Sequence, residues 1–225
     1  MSSILLRPFI QHILSDNIDR IVLVSNDPRI APEAFDLLRL SERDVVVQFN
    51  HSAHNKLIAP TSCAKGYFFQ SNHLGGHWGI DDNGKARFAL PSDALGPVGY
   101  FFLHRYGNTF ELFRENVSES STIDVIRVFE KHNEPWKSLI HKNNYPKDKA
   151  PTAGFIGVQV IRSLSQWRSA VFGNPLRIIL LGFTGSYPKN TNPWNGHDYE
   201  YEQCMLRSMS EIVRLDFSGC LLASE

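Results

Sequence analysis

Three short apolar runs form the clearest pattern along the chain. Residues 21–24, 45–49 and 178–181 are nearly continuous in apolar side chains and rich in Val, Ile and Leu. Runs of this length and kind are typical of central strands in a parallel sheet that helices cover on both faces. We therefore predict buried parallel strands at these three places.

Helical periodicity separates and follows these runs. Apolar residues recur at intervals of three and four in four segments: 31–40, 122–131, 154–168 and 201–213. This spacing places the apolar side chains on one face of a helix. The alternation of strands and helices predicts an α/β fold with a Rossmann-like, mostly parallel sheet and helices on both faces.

Two stretches lack this regularity. Residues 66–116 are rich in Gly, aromatic residues and His, and carry turn sequences such as Asp82-Asn83-Gly84. We expect irregular structure with short strands there, and a lid over a ligand site is the functional option for this segment. Residues 132–150 contain four lysines and predict a solvated connection.

Composition and charge narrow the class of protein. The 225 residues fit one domain, 42% of them are hydrophobic, and the 23 basic residues balance the 23 acidic ones. This balance argues against nucleic-acid binding, which requires excess positive charge. Three widely spaced cysteines indicate no disulfide framework, and no apolar run approaches the roughly 18 residues of a membrane span. We expect a cytoplasmic protein, with peripheral association with the inner face of the membrane as an option.

Polar residues follow two of the predicted strands. Asn26 lies in the turn sequence after the first strand, and Asn50 follows the second. Loops at the carboxyl ends of strands bind ligands in α/β sheets, and an Asn amide can both donate and accept hydrogen bonds to a nucleotide. The alternative is plain turn chemistry, to which Asn-Asp-Pro is well suited.

Two further segments have the residue types of a binding or catalytic site. Thr152 opens a predicted helix with Ala153 and Gly154 behind it, and free N–H groups at a helix start suit a carboxylate or phosphate. His197 lies in a polar, aromatic loop and has the residue type of a general base, while Glu202 would orient the imidazole or the start of the next helix. Capping without chemistry is the alternative for both segments.

The other histidines give weaker evidence of a functional site. His51 and His54 lie near the first two loops and are expected to be satisfied polar side chains rather than phosphate ligands. His73 and His77 are four residues apart, but the two glycines between them disfavour a helix and no third ligand is evident. We expect no metal site and no cofactor.

The order of these pieces resembles the sialyltransferases of the animal type, which use CMP-activated sugars. Residues 22–26 and 44–50 resemble their long motif, and residues 151–154 with 179–183 resemble their short motif. His197 with Glu202 matches the His-x-x-x-x-Glu motif, and Trp194 and Tyr199 stand where the family has an aromatic motif. The resemblance covers somewhat under half of the chain.

The resemblance implies a role for each matched position. Asn26 and Asn50 would contact the CMP phosphate and ribose, Thr152 with the backbone of Ala153 and Gly154 would hold the donor carboxylate or cytidine, and His197 would be the base. Trp194 and Tyr199 would complete the donor site, with Glu202 in support. The departures, Ser25 for Gly, Gln48 for Arg and Ala153 for Thr, suit a bacterial, cytosolic relative.

These expectations describe a metal-independent glycosyltransferase. It would move a 2-keto acid sugar, sialic acid or 3-deoxy-manno-octulosonic acid (Kdo), from a CMP-activated donor to a hydroxyl of an oligosaccharide or lipopolysaccharide acceptor, as in bacterial lipopolysaccharide or capsule synthesis. The CMP-sugar is then a substrate rather than a cofactor. The alternatives are a non-catalytic nucleotide- or glycan-binding module and a Rossmann-like methyltransferase or nucleotide hydrolase. Against the methyltransferase and the hydrolase, this chain has no Gly-x-Gly-x-x-Gly sequence after its first predicted strand.

Overall fold

The structure is a computed structural model. It describes residues 8–50, 53–70, 96–103, 122–126, 145, 149, 151–185 and 196–222, with the backbone alone for residues 8, 69, 70, 102, 103 and 122–126. Of the residues predicted for the site, Trp194 lies outside these ranges, as do His51, His73 and His77.

Among the described residues, seven parallel strands form one sheet. In chain order the strands are β1 (Arg20–Val24), β2 (Asp44–Phe49), β3 (Ala64–Gln70), β4 (Val98–Leu103), β5 (Thr122–Ile126), β6 (Arg177–Leu181) and β7 (Ile212–Leu215). Their order across the sheet is β5-β4-β3-β2-β1-β6-β7, and every neighbouring pair is parallel. The chain runs outward from β1 in one direction and returns to add β6 and β7 on the other side.

Five helices are described around this sheet. They are α1 (Pro8–Ile13), α2 (Pro32–Leu38), α3 (Asn55–Ile58), α4 (Ala153–Phe172) and α5 (Tyr199–Ser208). Alternate residues of the same strands enter two separate cores: Leu23 and Val47 pack with α1, α4 and α5, and Val24 and Val46 pack with α2 and α3. Helices therefore cover both faces, and the predicted Rossmann-like α/β fold is confirmed.

The three apolar runs are confirmed as strands in the centre of the sheet. Residues 21–24, 45–49 and 178–181 all lie within strands, and each of them is buried. Strand β1 pairs with β2 on one side and with β6 on the other, so its side chains meet helices above and below. This double coverage is the physical reason for the continuous apolar sequence.

The helix predicted over residues 122–131 is wrong where the structure describes it. Thr122–Ile126 is a strand that pairs with β4 in register from Gly99 to Leu103. Ile123 and Ile126 fit helical spacing, but three of the five residues are Ile or Val and a fourth is Thr, all of which favour a strand. So short a segment is compatible with either a helix or a strand, and pairing with the edge of β4 makes it a strand.

Two other boundaries also differ from the prediction. Helix α5 ends at Ser208, whereas the predicted helix continued to Val213, because Ile212–Leu215 pairs with β6 as strand β7. Residues 64–70 and 98–103 are strands in or beside the stretch 66–116, for which irregular structure with short strands was predicted. The prediction of helix for 154–168 is confirmed and extends to Phe172, and α2 lies within the predicted 31–40.

The predicted solvated connection at 132–150 is wrong at one described position. Tyr145 is only 7% exposed and belongs to the core on the α4 face of the sheet. Lys149 is partly buried. Among the described residues, no helix is both long and apolar enough to cross a bilayer.

Candidate functional site

The direction of the chain changes between β1 and β6. The chain passes from β1 to its neighbour β2, whereas it passes from β6 to β7 on the opposite side of β1. The connections that leave β1 and β6 at the carboxyl edge of the sheet therefore run in opposite directions. Such a switch point leaves a crevice between the loops, where open α/β sheets bind their ligands. The loop after β1 begins at Ser25 and the loop after β6 begins at Gly182.

Ser25 joins these two loops at their bases. Its backbone N–H donates to Leu181 O at 3.0 Å, and its hydroxyl donates to Gly182 O at 3.0 Å. Gly182 has φ +79°, and a Cβ there would lie 2.6 Å from both Ile30 Cδ1 and the Ser25 hydroxyl. Glycine is therefore required at 182, and Ser25 is fixed at the floor of the switch point.

Asn26 links the β1 loop to the loop after β2. Its Oδ1 accepts a hydrogen bond of 3.5 Å from the backbone N–H of Ala53. Because the oxygen is used in this way, the NH₂ group is the part of the side chain that remains to donate to an anion. Asn26 is partly buried, so it borders solvent rather than the core.

Asn50 is held in an unusual backbone conformation directly after β2. Its φ is 46°, in the left-handed region that Asn tolerates better than most residues, and its N–H donates to Phe68 O at 2.8 Å. The left-handed residue turns the chain out of the sheet at the carboxyl edge. Asn26 and Asn50 thus lie on adjacent loops, both at this edge.

His54 is a structural side chain, as predicted. It is 7% exposed, its Nε2 lies 3.0 Å from Asp27 O, and its ring packs against Phe35 with centroids 5.5 Å apart. Burial lowers the pKa of His54, which favours the neutral ring. It supports the β1 loop from below.

The amino end of α4 reaches the same edge of the sheet. Thr152 is the N-cap, and its hydroxyl accepts from the N–H of Phe155 at 3.0 Å. Gly154 faces the ring of Phe183, 3.0 Å from where a Cβ would stand, and the ring of Phe183 also meets that of Phe49. The small residue at 154 lets the helix start approach the loop after β6.

Glu202 ties the start of α4 to the start of α5. Its Oε1 accepts from the backbone N–H of Thr152 at 2.7 Å and from the Tyr145 hydroxyl at 2.9 Å, and its Oε2 lies 2.7 Å from the Thr152 hydroxyl. Glu202 is 4% exposed, and desolvation raises its pKa to about 7, although the three hydrogen bonds oppose that rise. Burial dominates because no cation among the described residues accompanies the carboxylate.

His197 lies two residues before α5. Its ring contacts the ring of Tyr199 edge to face, with centroids 5.4 Å apart, and both residues are partly exposed. Asp198, between them, is the N-cap of α5, and its side chain accepts from the N–H of Tyr201 at 2.9 Å. The imidazole therefore stands on a capped helix start with access to solvent.

The predicted site residues fall into two directly connected groups. Asn26 adjoins the β2 loop that carries Asn50, and Thr152 is hydrogen-bonded to Glu202, five positions beyond His197. Phe49 and Phe183 connect the groups, because they carry the ring contact between the ends of β2 and β6. Glu202 was predicted to orient either the imidazole of His197 or the start of the next helix. Its hydrogen bonds go to Thr152 and Tyr145 and not to the imidazole.

Sequence reasoning missed two members of this arrangement. Asp198 has a local signal, since an Asp three residues before Tyr201 at a helix start is a good N-cap. Tyr145 has none, because its partners Glu202 and Asp198 lie more than fifty positions later in the chain. No group of three or more His, Cys, Asp or Glu side chains suited to a metal occurs in the described part of the chain.

The strand order defines a Rossmann-like α/β protein, and polar residues lie on the loops at its topological switch point. Comparison with protein-family models, with curated proteins and with solved structures finds no match.

Proposed function

We propose that the chain is a glycosyltransferase that moves a 2-keto acid sugar, sialic acid or Kdo, from a CMP-activated donor to a glycan hydroxyl. The observation that carries the proposal is the contact between Thr152 and Glu202, which joins two motif segments fifty residues apart at the carboxyl edge of the sheet. Asn26 and Asn50 border the same edge from the loops after β1 and β2. A site assembled from distant loops at a switch point is the usual location for a nucleotide.

The anionic donor has suitable partners at this edge. The NH₂ group of Asn26 donates to the phosphate, with Asn50 at the ribose or phosphate. The Thr152 hydroxyl is already engaged by Phe155 and Glu202, so the donor carboxylate is assigned to the backbone N–H groups of Ala153 and Gly154. Helix α4 is 20 residues long, and its dipole favours an anion at that end.

His197 takes the proton in the proposed reaction. The acceptor hydroxyl attacks the anomeric carbon, its proton passes to the imidazole, and the bond to CMP breaks with inversion as charge develops on the phosphate. The C–O bond to the acceptor replaces the C–O bond to the phosphate, and CMP leaves as its anion. The ring of Tyr199 contacts the imidazole edge to face and would lie beside the donor with it.

Two measurements test this function in sequence. Thermal stabilisation by CMP, with UDP, ADP and S-adenosylmethionine as controls, tests the nucleotide class. Hydrolysis of CMP-sialate and CMP-Kdo without acceptor then tests catalysis and separates the two donors. CMP binding without turnover of either donor would favour the non-catalytic module, and selective stabilisation by S-adenosylmethionine would overturn the proposal.

His197→Ala is the first variant to test. General-base assistance contributes about 10²–10⁴-fold to rate, so turnover should fall by about that factor while CMP binding stays near its original affinity. His12→Gln is the matched control, because His12 lies on α1 beside Phe9, whose ring packs at Gly99 of β4 rather than against the loops of the site. A fully active His197→Ala enzyme would refute the base assignment.

A further inference from the structure

Tyr145 is buried among aromatic residues at the starts of two helices. Its ring lies 5.2 Å from that of Tyr201 on α5 and 5.9 Å from that of Phe155 on α4, measured between centroids. The side chain is 7% exposed. The ring therefore fills the space between the two helix starts and leaves its hydroxyl in a fixed place.

That hydroxyl connects a carboxylate with a backbone amide. It donates to Glu202 Oε1 at 2.9 Å and accepts from the backbone N–H of Asp198 at 3.1 Å. Glu202 in turn binds the N–H and the hydroxyl of Thr152. One side chain thus ties the residue that follows His197 to the N-cap of α4.

Asp198 is consequently held at both of its polar ends. Its backbone N–H is bound by Tyr145, and its carboxylate caps α5 through the N–H of Tyr201. The peptide group between His197 and Asp198 contains this N–H, so the hydrogen bond fixes the backbone immediately beside the imidazole. Rotation of that peptide would move His197 relative to the start of α4.

We propose that Tyr145 is a positioning residue for His197: its hydroxyl sets the distance between the imidazole and the amino end of α4. The inference rests on the proposed function, in which His197 takes a proton from an acceptor whose sugar donor is held at that helix end. A base displaced by about 1 Å can cost about 100-fold in rate, so a group that fixes the peptide beside it affects turnover without touching substrate.

Tyr145→Phe tests the inference by removing one oxygen and keeping the ring. We expect kcat for CMP-sugar hydrolysis to fall about 10-fold or more, and KM for the donor to change less than about twofold, since the nucleotide contacts are untouched. Tyr201→Phe is the matched control. Its ring belongs to the same cluster, but its hydroxyl has no hydrogen-bond partner in the described part of the chain, so kcat should stay near the wild-type value.

Hydrogen exchange supplies a measurement that does not need activity. The Asp198 amide should be protected in the wild type and should exchange about 5-fold faster in Tyr145→Phe, which is the effect of losing one ordinary hydrogen bond. Tyr201→Phe should leave this amide protected. An unprotected Asp198 amide in the wild type overturns the inference even if Tyr145→Phe does not fold.

The remaining outcomes separate this inference from the proposed function. If the wild type hydrolyses a CMP-sugar and Tyr145→Phe retains its kcat, the positioning role is wrong and the glycosyltransferase stands. If both Phe variants slow turnover equally, general loosening of the cluster explains the loss and the positioning role is again wrong. If the wild type neither binds CMP nor turns over either donor, the proposed function fails and the positioning role fails with it.

Discussion

Glu202 can keep its hydrogen bonds in either protonation state. When the carboxylate is ionised, the Thr152 hydroxyl donates to Oε2; when Oε2 carries a proton, it donates to that hydroxyl, which has lone pairs for both Glu202 and the N–H of Phe155. Oε1 accepts from the Thr152 N–H and from Tyr145 in both cases. Glu202→Gln should fit equally well, with its amide oxygen at Oε1 and its NH₂ group facing Thr152.

The raised pKa of Glu202 converts into a pH-dependent free energy of unfolding. The folded pKa of about 7 exceeds the ordinary 4.5, so the folded state binds this proton more tightly than the unfolded state. The stabilisation is complete below pH 4.5 and is lost as the pH rises from there through 7. At about 1.36 kcal/mol per pKa unit, the loss relative to a permanently neutral side chain is below about 1 kcal/mol at pH 5 and about 3 kcal/mol at pH 8.

Urea denaturation of the wild type and Glu202→Gln at pH 5, 6, 7 and 8 tests this reasoning. The other titrating groups are common to both proteins, so the difference at each pH isolates Glu202. We expect nearly equal stability at pH 5 and a variant more stable by about 3 kcal/mol at pH 8, or about 6–12 °C in melting temperature. A difference that stays flat with pH, or a variant less stable at pH 8, would show that the ionised carboxylate is the favoured form.

Two further predictions concern the scaffold. Arg20 binds buried Asp44 through two nitrogens, and Arg43 binds exposed Asp19 in the same geometry. Arg20→Ala should cost about 3–5 kcal/mol because it leaves a buried carboxylate without its counter-charge, whereas Arg43→Ala, at an exposed pair, should cost much less; equal costs in urea melts would contradict the role of burial. Gly157→Ala places a Cβ 2.4 Å from the buried phenylalanine ring at the end of β2, and calorimetry should show a loss of about 1–3 kcal/mol, whereas unchanged stability would mean that the ring yields freely.

The central strands could be predicted because a single factor, burial on both faces of the sheet, determines their sequence. Strands β1, β2 and β6 are covered on both faces, so nearly every side chain must be apolar, and the runs stand out. In β3 and β4 the apolar pattern is interrupted by glycines at 66 and 99, which make room for the ring of Phe9 from α1. Contact with a distant helix, rather than local propensity, determines those two positions.

Segments near the edges of the sheet depended on pairing that no local window contains. Ile212 continues the helical spacing of α5, but it pairs with Ile178 of β6 and so belongs to strand β7. At the candidate site, the positions of Asn26, Thr152 and His197 at or next to strand ends and helix starts could be predicted. The Glu202–Tyr145 connection could not, because it spans 57 residues.

The junction of β1 with β6 also bears on how the molecule is made. Ser25 and Gly182, which meet at its carboxyl end, are 157 positions apart. During synthesis, one edge of β1 therefore stays unpaired until the ribosome has added β6. Pairing two strands across so long a loop is slow. A ligand that binds at this junction would thus distinguish finished molecules from partly folded ones, since the junction is among the last parts of the protein to form.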